Sequence, residues 1–73
     1  MTFSENLFEL RRKRQLTQTA VADAVGSTLR AYQRYEYGER TPPMDVLIAL
    51  ADFYDISLDE LVCRKREKQD VSL

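Results

Sequence analysis

Residues 17–38 decide the fold, and they read TQTAVADAVGSTLRAYQRYEYG. Thr17 and Thr28 stand where a side-chain hydroxyl caps the start of a helix. Gly26 and Gly38 are the only glycines in the chain, and each follows an apolar run, where a helix ends on a residue that tolerates positive φ. The stretch therefore predicts two short helices joined by a tight turn. Helices of about eight residues are not stable alone, so the flanking sequence must supply their core.

The sequence before this stretch predicts a first helix over residues 3–14. Thr2 and Glu5 have the spacing of a capping box, in which each side chain accepts a hydrogen bond from the other residue's backbone N–H. Phe8 lies off the apolar stripe of this helix and is expected to be partly exposed. The stripe recurs at helical spacing and is expected to face the core through Phe3, Leu7 and Leu10.

Two further helices are predicted after Gly38. A loop stiffened by two prolines leads to a fourth helix over residues 44–54, and Asp55 follows it at a turn position that suits glycine. Ser57 and Glu60 form a second capping box, which predicts a fifth helix from Leu58 to about Cys63 or one turn beyond. The fourth helix is expected to bury one face, formed by Leu47, Ile48, Ala51 and Tyr54 with Leu50 beside it.

The third helix, over residues 29–37, has two chemically different sides. Its inner side is expected to carry Tyr32, Tyr35 and Glu36, and its outer side Arg30, Arg34 and Tyr37, with Gln33 at the edge. Arginine can donate two hydrogen bonds to guanine, glutamine can bind adenine through two bonds, and Leu29 can pack on a thymine methyl group. The alternative interpretation is an ordinary solvated polar face. The second helix is expected to turn Val21, Ala22 and Val25 inward.

Composition limits the class of protein. The 73 residues suffice for one domain, which we assign to residues 1–63, followed by a charged tail over residues 64–73 that either extends the fifth helix or is disordered. A single cysteine, Cys63, and the absence of histidine predict no internal disulfide, no metal site, no cofactor and no set of catalytic groups. The chain has no apolar run of about 18 residues and no basic leader, so we expect a cytoplasmic protein.

Charge is unevenly distributed along the chain, although the net charge is only −1. Residues 1–40 carry seven basic and five acidic side chains, whereas residues 41–63 carry five acidic side chains and no basic one. This polarity is able to orient the molecule on a polyanion. The alternative, which the charges alone do not exclude, is that these side chains lie on ordinary solvated faces and have no role in binding.

The predicted pattern resembles the helix-turn-helix DNA-binding domain of the lambda-repressor and Cro type. The likeness runs without a gap from Leu7 to Leu61, and it implies a compact all-α, five-helix domain in which helices 2 and 3 form the helix-turn-helix. The residues that carry it are Leu16-Thr17-Gln18, Ala22, Gly26, Tyr35-Glu36, Gly38, Arg40, Pro42, Leu50-Ala51 and Ile56-Ser57-Leu58-Asp59-Glu60-Leu61.

The resemblance implies roles for residues at matching positions on double-stranded DNA. Helix 3 enters the major groove, and the expected base contacts are Leu29, Arg30 and Arg34, to which the outer-face pattern adds Gln33. The expected phosphate contacts are Gln18, Thr28 and Arg40. Arg11 and Glu36 are expected to form a largely buried ion pair that ties helix 1 to helix 3.

The function predicted from this resemblance is that of a sequence-specific transcriptional regulator, acting as a repressor. One domain alone binds DNA weakly, so we expect a homodimer on an inverted-repeat operator, joined through helix 5 by Leu58, Val62 and Phe53. No small-molecule ligand is evident. The alternative is a protein-interaction module, such as an antitoxin, that keeps the fold and uses its acidic half to bind another regulator.

Overall fold

Residues 1–64 are described by the computed structural model, and within them the chain forms five helices and no strand. This confirms the all-α fold. Apart from Arg64, the predicted tail lies outside the described residues. The helices are α1 (Phe3–Lys13), α2 (Gln18–Ala24), α3 (Leu29–Tyr37), α4 (Met44–Tyr54) and α5 (Leu58–Leu61).

All five helices begin where the sequence predicts, and four of the starts have a side-chain cap. Thr2 and Ser57 each complete a capping box with the glutamate three residues later. Thr17 Oγ1 accepts a hydrogen bond from the N–H of residue 20 at 3.0 Å, and Thr28 Oγ1 accepts one from that of residue 31 at 3.1 Å. α4 follows Pro43 without a side-chain cap. Because these bonds satisfy N–H groups that have no partner within the helix, they fix the first turns locally.

Helix ends are set by residues with positive φ. Gly38 has φ 76° and ends α3 in the left-handed conformation, and Asp55 does the same for α4 with φ 57°. The predicted end of helix 5 is wrong, because α5 stops at Leu61 and Cys63 has φ 61°. The N–H of Arg64 then returns to the carbonyl of Asp59 at 2.9 Å, a bond that closes the last turn of a helix. α1 ends one residue before its predicted end.

The core is formed by side chains from all five helices: α3 packs against α1 and α2, and α5 packs against α4 and α1. The expected inner residues of α2 and α3 are buried, and Phe8 is 41 % exposed, as predicted. Within residues 1–64, the buried hydrophobic core consists of Leu7, Val21, Ala22, Val25, Tyr32, Tyr35, Val46, Leu50, Ala51, Tyr54 and Leu61.

One face was predicted wrongly, that of α4. Ile48 is 45 % exposed instead of buried, while Val46, which is not among the residues predicted to face inward, is 8 % exposed. The buried side follows Val46, Leu50 and Tyr54 at four-residue intervals. Because α4 carries apolar residues around most of its circumference, their spacing alone does not identify the side that packs inward.

Candidate nucleic-acid interface

α3 presents two different surfaces because its two sides pack differently. Its inner side is packed by α1 and α2, which bury Glu36 together with the two tyrosines. Its outer side is open: Leu29 is 40 % exposed, Arg30 is exposed, and Gln33 and Arg34 are half-buried. The polar side chains predicted to face outward therefore lie on the accessible side of the helix.

A buried carboxylate joins three helices. The side chain of Glu36 is 2 % exposed and accepts four hydrogen bonds. Arg11 donates two of them, from Nε to Oε2 at 2.6 Å and from Nη2 to Oε1 at 3.1 Å. Tyr32 Oη donates to Oε2 at 2.6 Å, and Gln18 Nε2 donates to Oε1 at 3.1 Å. The carboxylate thus ties α1 and α2 to α3 with no oxygen left unbonded.

Hydrogen bonding decides the charge state of this pair. Burial opposes ionisation of Glu36, but the hydrogen bonds from Arg11, Tyr32 and Gln18 outweigh it and hold the pKa of the carboxyl below its ordinary value. The bond to Glu36 likewise raises the pKa of Arg11. Burial raises the pKa of Tyr32, and that of Tyr54 to about 12. At neutral pH the network is therefore a carboxylate held by a guanidinium and a neutral phenol.

The lowered pKa of Glu36 makes stability dependent on pH. The carboxylate contributes stability above the ordinary pKa of 4.5, and this contribution is lost as pH falls through the lower pKa of the folded state, because the unfolded chain binds the proton first. We expect Glu36→Gln to be less stable than the wild type at pH 7, and this difference to shrink as pH is lowered below 4.5. Urea unfolding of both proteins from pH 7 to pH 3 measures it. If the free energies of unfolding of the two proteins changed with pH in parallel, this would contradict the assigned role of the carboxylate.

Two buried tyrosines provide a matched test of this network. Tyr32 donates to Glu36, whereas the hydroxyl of Tyr54, although near that of Tyr32, has no hydrogen bond of normal geometry within residues 1–64. Tyr32→Phe is expected to lower the free energy of unfolding by about 1.5–3 kcal/mol, the range for a hydrogen bond to a charged group. Tyr54→Phe removes an unpaired polar atom and is expected to leave it unchanged or raise it. If thermal unfolding showed equal losses of stability for Tyr32→Phe and Tyr54→Phe, this would contradict the expected difference.

Two glutamines connect the buried network to the outer face. Gln33 Nε2 donates to Gln18 Oε1 at 3.1 Å, and Gln18 in turn donates to Glu36. Gln18 is a predicted phosphate contact and Gln33 a predicted base contact, and the structure brings the two amides into direct contact. This contact had no signal in the sequence, because the residues lie on different helices and 15 positions apart.

The outer face contains a shallow basic concavity. Its volume is about 190 Å³, and no ion pair of Arg30, Arg34 or Arg40 is found within residues 1–64. Thr28, whose hydroxyl caps α3, also lines it, so the concavity includes the start of this helix. The residues around the concavity are Thr28, Arg30, Ala31, Arg34 and Arg40. It brings together two predicted base contacts and two predicted phosphate contacts.

A larger open groove, of about 920 Å³, lies between α1 and the ends of α2 and α3. Phe8 and Tyr37, which is 62 % exposed, form part of its wall, and Gln18 lies beside them. The sequence predicts no role for Tyr37. Its position at the last residue of α3, next to a predicted phosphate contact, makes it a neighbour of the candidate interface.

The geometry of α2 and α3 agrees with a known family. The family model described as "Helix-turn-helix" matches residues 7–61. The chain belongs to the helix-turn-helix family. Its fold is that of the lambda-repressor and Cro type, since its structure superposes on the P22 c2 repressor protein, solved in complex with a synthetic operator, with a TM-score of 0.83. The two are 26 % identical, and the match covers 89 % of this chain and 98 % of that one.

Curated relatives of this helix-turn-helix chain are transcriptional regulators by name. The HTH-type transcriptional regulator YqaE of Bacillus subtilis is 45 % identical over 60 residues, which are 82 % of this chain and 52 % of the relative. The cryptic phage CTXphi transcriptional repressor RstR of Vibrio cholerae is 41 % identical over 64 residues, which are 88 % of this chain and 57 % of the relative. The chain thus spans slightly more than half the length of these two relatives.

The described part of the chain shows neither a metal-binding cluster nor a membrane-spanning helix. Residues 1–64 contain no cluster of histidine, cysteine, aspartate and glutamate side chains suited to a metal ion. The same residues form no helix that has both the length and the apolar character needed to span a membrane.

Proposed function

We propose that the chain is a sequence-specific regulator of transcription that acts in the cytoplasm as a repressor. The observation that carries this proposal is the outer face of α3, where Arg30 and Arg34 stand beside Arg40 without acidic partners in the described structure. Unpaired guanidinium groups on an exposed helix suit the guanine edges and phosphates of a major groove. The names of RstR and of the P22 c2 protein support the repressor role.

The proposal divides the face by chemistry. Leu29 packs on a thymine methyl group, Arg30 and Arg34 donate to guanine, and Gln33 binds adenine. The phosphates on either side are held by Gln18 and Thr28 at helix starts, where N–H groups add to the attraction, and by Arg40 in the loop after α3. The Arg11–Glu36 pair touches no DNA and holds α3 at its angle to α1.

The proposed active form is a homodimer on an inverted repeat. A single domain that makes about four to six phosphate contacts binds weakly at physiological salt, whereas two domains read half-sites together. The proposed contact surface is on and near α5, where Leu58 is 39 % exposed and Phe53 and Val62 are half-buried. Binding of such a dimer over a promoter excludes the polymerase.

The dimer surface is tested by comparing two exposed apolar residues. Leu58→Glu places a charge on the proposed surface, at the first position of α5, where the helix dipole favours an acid. We expect this variant to sediment as a monomer at concentrations where the wild type is a dimer. Ile48→Glu, on the exposed side of α4, is the matched control and is expected to remain dimeric. The reverse result would place the contact on α4 and contradict the proposed surface.

The proposed function itself is tested by selecting bound duplexes from a random pool. We expect enrichment of an inverted repeat whose half-site centres lie about one helical turn, 10–10.5 base pairs, apart or a multiple of that. Enrichment of a single half-site would reject the dimer but not sequence-specific binding of DNA. No enrichment of any sequence would reject the DNA-reading function and favour the protein-interaction module.

A further inference from the structure

The hydrogen bonds that run from the core to the outer face of α3 have a fixed direction. A carboxylate can only accept hydrogen bonds, so Gln18 must turn its Nε2 toward Glu36. Its Oε1 then points the other way and accepts from Gln33 at 3.1 Å. Because Gln33 donates to Gln18 through Nε2, its own Oε1 must point away from Gln18. The charge of one buried group thus sets the orientation of two amides in succession.

We propose that Glu36, acting through Gln18 as a positioning residue, fixes the amide of Gln33 so that it selects adenine at one operator position. This inference rests on the proposed function, in which α3 enters the major groove. Within residues 1–64, Gln33 keeps one N–H and Oε1 free after it has donated to Gln18. These two groups match the acceptor N7 and the donor N6 of adenine.

The fixed orientation matters because a free amide is less selective. A glutamine that rotates freely can turn both N–H groups toward guanine, whose major-groove edge presents only acceptors. In this chain one N–H of Gln33 is already donated to Gln18, so the amide can offer guanine only one N–H beside an acceptor that faces acceptors. Fixing the amide before DNA arrives also lowers the entropy lost on binding. The restriction therefore adds both selectivity and affinity for adenine.

The relay is compatible with a phosphate contact by the same residue. Gln18 Nε2 has two hydrogens, and only one of them is donated to Glu36. The second has no acceptor within residues 1–64 and remains for a DNA phosphate, the contact that the family resemblance implies for Gln18. The two roles have different consequences for binding, because a phosphate contact contributes equally on every sequence, whereas a positioning role affects one base pair.

The test measures preference at the position read by Gln33. That position is the one whose preference disappears in Gln33→Ala when all four base pairs are compared in the selected duplex. We expect the wild type to prefer adenine there by about 5- to 150-fold, the range for one glutamine–adenine pair. Gln18→Ala is expected to reduce this preference to about twofold or less. Combining Gln18→Ala with Gln33→Ala is expected to reduce it no further. Thr19→Ala, an exposed change on the same helix, is expected to keep it.

A second readout needs no DNA. Exchange of the Gln33 side-chain amide hydrogens with water, followed by NMR, is expected to be slower in the wild type and in Thr19→Ala than in Gln18→Ala. If exchange were slow in the wild type but the random pool yielded no selected sequence, the proposed function would be rejected. Base selection by Gln33 would then be rejected as well. Equal exchange rates in the wild type and Gln18→Ala would overturn the relay. A uniform loss of affinity in Gln18→Ala with unchanged adenine preference would also overturn it, leaving only a phosphate contact.

Discussion

Replacing Arg11 with alanine is expected to lower the free energy of unfolding by about 3–5 kcal/mol, the usual result of removing one partner of a buried ion pair. The side chain of Arg11 is 16 % exposed and donates twice to Glu36 and once, from Nη1, to the carbonyl of Leu16 at 2.9 Å. Alanine leaves the Glu36 carboxylate buried beside two neutral donors. Urea unfolding at pH 7 measures the loss.

The adjacent arginine provides the control. The side chain of Arg12 is 66 % exposed, and its only ion pair within residues 1–64 is with Glu9 at 3.7 Å. Arg12→Ala changes net charge by the same amount and is expected to alter the free energy of unfolding by less than about 0.5 kcal/mol. If Arg11→Ala were as mild as Arg12→Ala, the network around Glu36 would not be what holds α1 to α3.

The second large effect is expected in DNA binding. Arg30→Ala and Arg34→Ala are each expected to cost about 1–3 kcal/mol on the selected operator and to relax preference at one base pair. Arg40→Ala, in contrast, is expected to weaken binding on all sequences alike and to reduce the slope of log affinity against log salt by about 1. The contrast follows from the proposed division into base and phosphate contacts.

Arg12→Ala is again the matched control, since Arg12 lies on α1 and does not line the basic concavity. It is expected to change affinity little and preference not at all. The measurement is fluorescence anisotropy with labelled duplexes at several salt concentrations. Equal, sequence-independent losses for Arg30→Ala, Arg34→Ala and Arg12→Ala would mean that only total charge matters, which contradicts base reading by α3.

Helix starts were predictable because their signals are local. Thr17, Thr28 and Ser57 each bond an N–H three residues away, so their effect does not depend on the rest of the fold. The two sides of α3 were predictable for a similar reason. Its polar and aromatic residues differ enough in chemistry that helical spacing alone separates Arg30 from Tyr32.

The buried side of α4 and the end of α5 were not predictable in this way. α4 is apolar nearly all round, and only packing against its neighbours decides that Val46 is buried and Ile48 is not. α5 ends at Leu61 because Cys63 takes a left-handed conformation, which a cysteine adopts at a cost that the sequence does not signal. Both outcomes depend on tertiary structure.

The candidate site was predictable residue by residue but not as an arrangement. Gln18 and Gln33 were each assigned to DNA, yet nothing in the sequence indicates that their amides bond to each other. The convergence of Arg40 with Arg30 and Arg34 likewise depends on the loop after α3. The DNA contacts of these residues remain predictions, and the structure adds the geometry on which they are to be tested.

The central claim to be tested is that this chain distinguishes DNA sequences. Its test is the ratio of dissociation constants for the selected duplex and for a shuffled duplex of equal length and composition, measured by anisotropy at physiological salt. We expect the selected duplex to bind at least about 10³-fold more tightly, the lower bound typical of specific regulators. A ratio near one, with affinity that depends only on salt, would contradict the account.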